Sequence, residues 1–519
     1  MISGQAAQPV ALVVDNGAVT FVEACDLWGM TVGAATDALQ AQLGADSHVA
    51  AIGPAGENLV RFASIVTDRS YQASRMGMGA VMGAKQLKAV VLRPGDAPPV
   101  FDRPALERLT GDFGQRIAHN DLSLWQQRPP GFSCWIYLHG LDAALCADNY
   151  QQSFFAGLEA FKEEAYLARP ITELGCPGCP NKCIKAIHPL DGDDLDPRAS
   201  GIHQEIAGAF GPAIGVGDLD AVLRANNLCN QLGLDPTSLG FTIAFGMELF
   251  QRDILRPEEN GGQPLHFGDA AAALTLVEDI AYRRGLGGLL AEGTQRAAER
   301  IGGDALRFAM HVKGLEIVPF EPRSQTNLAL GYAVAPIGPR YDICEHDWDF
   351  DTQVGWEHSL ELSRTLGILE RVPMDFIGPQ KVRTFKALLT LWSAADALDL
   401  CIFAIAPTRL LSLEQMAQMV RGVTGWETSS HELMRIGERR LHLMQWYNRR
   451  EGLSAADDHL PERFYHEAIA DGPRAGDRID RDAFHAAIAT FYTMMGWDAQ
   501  GTPTPATLYD AGLEWVMLA

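Results

Sequence analysis

The chain has 519 residues, 47% hydrophobic and 21% charged, an ordinary soluble globular composition with room for two or three domains. A formal charge of −23 argues against non-specific nucleic-acid binding and against an anionic membrane surface, and no stretch approaches bilayer-spanning length. Nine cysteines, an odd number, do not form a disulfide scaffold, and with no basic leader after Met1 the expected compartment is a reducing cytoplasm.

Residues 1 to about 97 read as β-rich. Val10–Val14 and Val19–Val22 flank Asp15-Asn16-Gly17, a hairpin signal, and Ala50-Ala51-Ile52 and Leu87–Leu92 read as further strands. Two glycine-rich stretches accompany them, Gly53-Pro-Ala-Gly-Glu-Asn58 and Arg75-Met-Gly-Met-Gly-Ala-Val-Met-Gly83. Pro94, Pro98 and Pro99 mark a boundary, and helical spacing dominates beyond it. Leu219–Leu232, Leu239–Phe250, Ala270–Arg284, Leu286–Ile301, Glu361–Leu369, Lys381–Leu398 and Ser429–Tyr447 repeat their apolar residues near every 3.6 positions. The expected fold is therefore α+β: a β domain over residues 1–97, a helical domain over 98–312 and a second helical domain over 313–519. One internal echo stands out. Asn230-Gln-Leu-Gly233-Leu234-Asp235 and Asp396-Ala-Leu-Asp399-Leu400-Cys401 each close an apolar helix and end on an acid or a thiol, as two loops gripping one ligand would.

Cys176-Pro-Gly-Cys179-Pro-Asn-Lys-Cys183 puts three thiols on a short proline-broken loop. The spacing is not that of a zinc finger and lacks the second cysteine pair of a zinc ribbon, although zinc with His188 is an alternative. A fourth thiolate would complete a [4Fe–4S] cage. Cys401, just beyond an apolar helix, competes for that place on even terms with the other cysteines. Arg75, followed by Met76 and Gly77, suits an oxyanion, since glycine admits close approach of backbone N–H groups and arginine offers a planar fork. Taken alone, the motif fits tight turns and strand packing better. The run from Gly338 through Tyr341, Glu345 and His346 to Trp348 is the densest group of ionisable side chains, and His346 within it is a candidate proton relay.

These stretches together resemble the aldehyde:ferredoxin oxidoreductase family. Lys313-Gly-Leu-Glu316 and Pro322-Arg323 match it as well, and the match runs in order along essentially the whole chain. The resemblance implies one [4Fe–4S] cluster on Cys176, Cys179, Cys183 and Cys401. It also implies a tungsten (or molybdenum) bis-pyranopterin with magnesium bridging the phosphates. Arg75, Met76, Gly77, Asn230, Gly233, Leu234, Asp235, Asp396 and Leu400 match cofactor-binding positions, and Glu205 matches a glutamate near the metal. In that reading a small-molecule aldehyde or carboxylate is the substrate, Glu205 carries a proton with His346 as the weaker candidate, and electrons leave to ferredoxin or another iron–sulfur carrier. Lys182 and Lys185 are the expected docking cations. The alternative is an incomplete iron–sulfur electron-transfer subunit.

Four departures accompany the resemblance. Asn230 stands where the first pterin motif usually has Asp, and Asp399 where the second has Gly. Val334 and Tyr341 occupy a region that is Thr-rich in many members. Members also normally carry more than a hundred further residues before the point matching Ser3, so the chain is expected to hold only part of the pterin-binding β domain. A second copy or a completing subunit is the expected partner.

Overall fold

Strands β1 (Val10–Asp15) and β2 (Ala18–Glu23) form the expected hairpin, with Asn16 and Gly17 at φ 47° and 82°, the left-handed pair such a turn requires. The computed structural model describes residues 2–142, 144–340, 346–353, 355 and 357–518. Four more strands complete the first sheet: β3 (His48–Ala51), β4 (Ile65–Thr67), β5 (Tyr71–Ala73) and β6 (Leu87–Leu92), in the order β2-β1-β6-β3-β4-β5. Only β1 and β6 pair in parallel; every other pairing is antiparallel. Helix α1 (Val32–Leu43) covers one face over Ala11, Val13, Val49, Ala51, Ala89 and Val91. Met82 of α2 (Met78–Ala84) packs on the other beside Leu12, Ile52 and Leu87. The edge strand β2 leaves Val19 and Phe21 exposed.

A second, small antiparallel sheet joins β7 (Ile171–Glu173), β8 (Lys185–Ile187) and β9 (Gly201–Ile202). The Cys176–Cys183 loop is the connection between β7 and β8, so its ends are pinned by ladder hydrogen bonds. From β9 the chain enters α3 (Gln204–Phe210), α4 (Leu219–Leu232) and α5 (Pro236–Gln251). Nearly every residue of α5 is buried. A helix apolar on all sides belongs in the centre of a core, and α5 lies in the largest one, packed against α3 and the segments around it. Helices α6 (Pro379–Ala397) and α7 (Ser430–Arg450) pack along each other, with Gly437 so close to α6 that a Cβ there would meet the Thr390 carbonyl at 2.2 Å.

The periodic stretch Leu286–Ile301 is two helices, Leu286–Leu290 and Thr294–Ile301, separated where Gly293 takes φ 80°. Buried ion pairs lock the helical body. Arg323 pairs with Glu321 at 2.7 Å and reaches the Tyr150 carbonyl, Arg463 pairs with Glu248 at 2.5 Å, and Lys313 pairs with Asp458 at 2.6 Å. The Lys313 and Arg323 motifs thus act within the fold. Among the described residues no helix is long and apolar enough to cross a membrane.

Candidate functional site

The four thiols lie within electrostatic reach of one another. Cys183 is buried, Cys179 partly so, and Cys176 and Cys401 are exposed. Burial pushes the Cys183 thiol up to about 12, with the charges of Cys401, Cys176 and Cys179 adding to it. Cys401 is raised as well, first by desolvation and then by Cys176 and Cys179 among its neighbours. Residues 218 positions apart in sequence therefore feel one another's charge. Yet among the described residues no three His, Cys, Asp or Glu form a group that could hold a single metal ion.

Backbone contacts hold this group in place. The Cys183 carbonyl accepts from the Phe132 N–H at 3.0 Å, and Gly131, at φ 75°, lies so close that a Cβ would approach that carbonyl to 2.4 Å. From the first sheet, the Tyr71 hydroxyl donates to the Gly175 carbonyl at the start of the cysteine loop, and burial raises its pKa to about 12. Lys185, expected at the surface, is instead buried, with Nζ donating to the Lys182 carbonyl at 2.9 Å. It lies on β8, whose residues are all buried. Only Lys182 presents its charge outward, beside Glu173 at 3.3 Å.

Helix α4 ends on Gly233 at φ 72°, and the Leu234 N–H closes onto the Cys229 carbonyl at 3.0 Å. Helix α6 ends in the same way, with Asp399 at φ 56° and the Leu400 N–H on the Ala395 carbonyl at 3.0 Å. The two loops share one helix-ending turn. Asp399 takes the left-handed conformation that aspartate tolerates better than most residues. Asp235 is buried at the start of α5, where it accepts from the backbone N–H groups of Thr237 and Ser238 at 3.1 and 3.2 Å. Burial raises its pKa, and Arg75, with Nε at 3.7 Å, opposes the rise. Asp396 pairs with Arg440 at 3.2 Å, and Leu400 packs in the apolar cluster beneath α6.

Arg75 also donates to the Glu316 carbonyl, while its Nε and Nη1 are buried without a hydrogen-bond partner. Met76, at φ 78°, is exposed, and Gly77, at φ 69°, sits against the Arg61 carbonyl, which a Cβ would meet at 2.0 Å. Gly79 and Gly83 pack as closely on Ser64 and Gly56, so these glycines serve backbone packing. Asn230 uses both ends of its amide inside the protein, donating to the Ala199 carbonyl at 2.8 Å and accepting from Gln72 at 2.7 Å. Gln72 Oε1 is left buried without a partner. Gln72 and Tyr71 were not singled out in the sequence, although they lie within four residues of Arg75.

Glu205 is buried in the first turn of α3. One carboxylate oxygen pairs with Nδ1 of His203; the other is buried with no hydrogen-bond partner. The His203 ring lies 4.5 Å from Phe132 and 5.6 Å from Phe403. Those two phenylalanines help line a cavity that His139, Gln204 and His346 also face. His346 is buried, its ring 5.9 Å from His139 and 4.9 Å from Phe320. Burial, then His346, drives the His139 pKa well below the ordinary value, so His139 is neutral at pH 7. Tyr341 and Glu345 lie outside the described residues. The cavity thus touches Phe132, bonded to Cys183, and Phe403, two residues after Cys401. Cys183 packs in the same apolar cluster as Phe132, Trp135 and Phe403.

The chain is similar to known proteins over nearly its whole length. A family model described as "Aldehyde ferredoxin oxidoreductase, domains 2 & 3" matches residues 114–513, and one described as its N-terminal domain matches residues 1–94. A tungsten-containing aldehyde ferredoxin oxidoreductase of Thermococcus kodakarensis is 29% identical over 506 residues, 96% of this chain and 79% of that protein. The WOR-like subunit of an aliphatic sulfonate oxidoreductase of Pyrococcus furiosus is 26% identical over 550 residues, covering 99% and 80%. Among solved structures, the active-site complex BamBC of benzoyl coenzyme A reductase superposes with a TM-score of 0.82 at 23% identity, covering 99% of this chain and 81% of that one.

Proposed function

The chain belongs to the aldehyde ferredoxin oxidoreductase family, a family of oxidoreductases, and from that membership we propose that it oxidises an aldehyde to a carboxylate and passes the electrons to ferredoxin. The observation that carries this reading is that Phe132 and Phe403, which pack in one cluster with Cys183, also line the cavity that His139 and His346 face. The overall change is aldehyde plus water giving carboxylate, three protons and two electrons.

The residues fit the cofactors of the tungsten-containing relatives. Arg75 keeps Nη1 buried without a hydrogen-bond partner, while Nε has the Asp235 carboxylate at 3.7 Å, so Nη1 is the nitrogen left for a phosphate. Gly233, Leu234 and Asp235, with Asp396, Leu400 and the exposed Met76, are the remaining groups proposed to border a tungstopterin. When bound, that group supplies the two-electron chemistry. Cys176, Cys179, Cys183 and Cys401 are proposed to hold a [4Fe–4S] cluster that hands electrons on singly.

The protein's part is to hold the aldehyde, exclude water and move protons. Glu205, with one oxygen unpartnered and the other anchored by His203, accepts a proton at that free oxygen. His346, beside neutral His139, is the second acceptor. Electrons leave where Cys176 and Cys401 reach the surface, with Lys182 as the outward-facing cation for an acidic carrier. The test is anaerobic, ferredoxin-dependent oxidation with carboxylate quantified, in the wild type and in Glu205→Gln. Loss of general acid–base catalysis is worth about 10²–10⁴ in kcat/KM. A Glu205→Gln enzyme with unchanged kcat/KM removes the glutamate from the mechanism, and no carboxylate from any aldehyde removes the activity.

A further inference from the structure

The cavity that Phe132 and Phe403 help line is small, about 40 Å³. Its lining includes Trp135, His139, Gln204 and Trp392, each more than nine-tenths buried. Trp135 Nε1, Trp392 Nε1, His139 Nδ1 and Gln204 Oε1 all lack a hydrogen-bond partner. Buried polar groups in folded proteins are nearly always paired, and each unpaired one is costly. Two of them, the Trp135 and Trp392 indole N–H groups, are donors from separate segments of the chain that line one cavity. An oxygen-bearing ligand pairs the two indoles, because an indole N–H can only donate, whereas the Gln204 oxygen is an acceptor and takes a donor such as water.

We propose that this cavity is the substrate site, and that the Trp135 and Trp392 indoles donate to the oxygen of an aldehyde or carboxylate of one to three carbons. The size follows from volume. One water needs roughly 10–15 Å³ measured in this way and a benzene-binding cavity is about 150 Å³, so the space suits about three non-hydrogen atoms and not an aromatic ring. The walls do not yield readily, since Trp135 lies 5.0 Å from Phe132, 5.0 Å from Trp125 and 6.0 Å from Trp348, ring to ring. Neutral donors bind a carbonyl oxygen without requiring charge, and His139, neutral through burial, joins them. The assignment rests on the aldehyde-oxidising reading for the chemical identity of the ligand, while the site rests on the cavity and its unpaired groups.

The experiment titrates acetate, then benzoate, into ¹⁵N-tryptophan-labelled protein and follows the indole N–H resonances, with Trp135→Phe and Trp392→Phe identifying their signals. Acetate is expected to move both signals saturably and benzoate neither. In turnover, Trp392→Phe is expected to lower kcat/KM for acetaldehyde about tenfold, the worth of one good hydrogen bond to substrate, and wild-type kcat/KM for benzaldehyde is expected to fall at least tenfold below that for acetaldehyde. Acetate that moves neither indole signal, or benzoate that moves both, overturns the proposal. The titration needs no turnover, so a protein that oxidises no aldehyde yet shows the acetate shifts keeps the site and loses only the activity.

Discussion

Gly131 is where the chain's backbone and its proposed cluster meet most tightly. In Gly131→Ala the new methyl lies 2.4 Å from the Cys183 carbonyl oxygen and 3.0 Å from Cγ of Lys185. Ordinary contact begins at 3.0–3.4 Å, so the carbonyl must retreat by roughly 0.6–1.0 Å. That retreat draws Cys183 from its place and strains the hydrogen bond it accepts from Phe132. The left-handed backbone, φ 75°, adds about 1–2 kcal/mol for a side-chain-bearing residue. A lost hydrogen bond adds about 0.5–1.5 kcal/mol, for a total of roughly 1.5–3.5 kcal/mol. Gly178, between Cys176 and Cys179, is the internal control. Its φ is 72°, but a Cβ there meets nothing within 4 Å, so Gly178→Ala carries only the backbone penalty. The assay is iron and acid-labile sulfide per chain after anaerobic reconstitution, together with thermal unfolding. Gly178→Ala is expected to keep most of its iron and Gly131→Ala to lose most of it. Equal iron in the two variants refutes the argument that the Gly131 contact holds Cys183 in place for the cluster.

Two further outcomes follow from the packing. Arg323→Met leaves Glu321 buried without its cation and is expected to cost about 3–5 kcal/mol in urea-induced unfolding, with m unchanged. His442, buried and accepting from Trp497 Nε1 at 2.9 Å, has its pKa pushed down by burial to about 4. The unfolded chain takes that proton first, near 6.5, so stability is lost as pH falls from there towards 4. Between pH 7 and pH 5 the loss is about 2 kcal/mol. In His442→Gln, which keeps an acceptor and cannot titrate, that part of the acid sensitivity disappears; an unchanged pH profile contradicts the assignment.

Helices such as Leu219–Leu232 were legible because spacing, an aspartate cap and a following glycine all agree, and the first hairpin because Asn16-Gly17 admits few other conformations. Strands β7 to β9 were not, since two or three residues carry no period; their order comes from pairing in one small sheet. Leu286–Ile301 read as one helix because its apolar spacing continues across Gly293, where the backbone turns. The cysteine triplet was plain in the sequence. Cys401 was not separable by spacing from the other thiols and became so through the family resemblance; in the structure its charge acts on Cys183. Lys185 was misjudged because charge suggests surface, whereas its β8 position puts it inside. Trp135, His139 and Trp392 gave no sign, because aromatic residues on a helix look the same whether they fill a core or line a cavity.

The central claim is that electrons from an aldehyde reach a cluster held by Cys176, Cys179, Cys183 and Cys401. Electron paramagnetic resonance of the anaerobic, cofactor-loaded enzyme before and after adding acetaldehyde tests it directly. The account predicts that the signal of a reduced [4Fe–4S] cluster grows on aldehyde addition in the wild type, and that the cluster is lost or altered in Cys401→Ser. A cluster that stays oxidised with excess aldehyde, or one that is unaltered in Cys401→Ser, contradicts it.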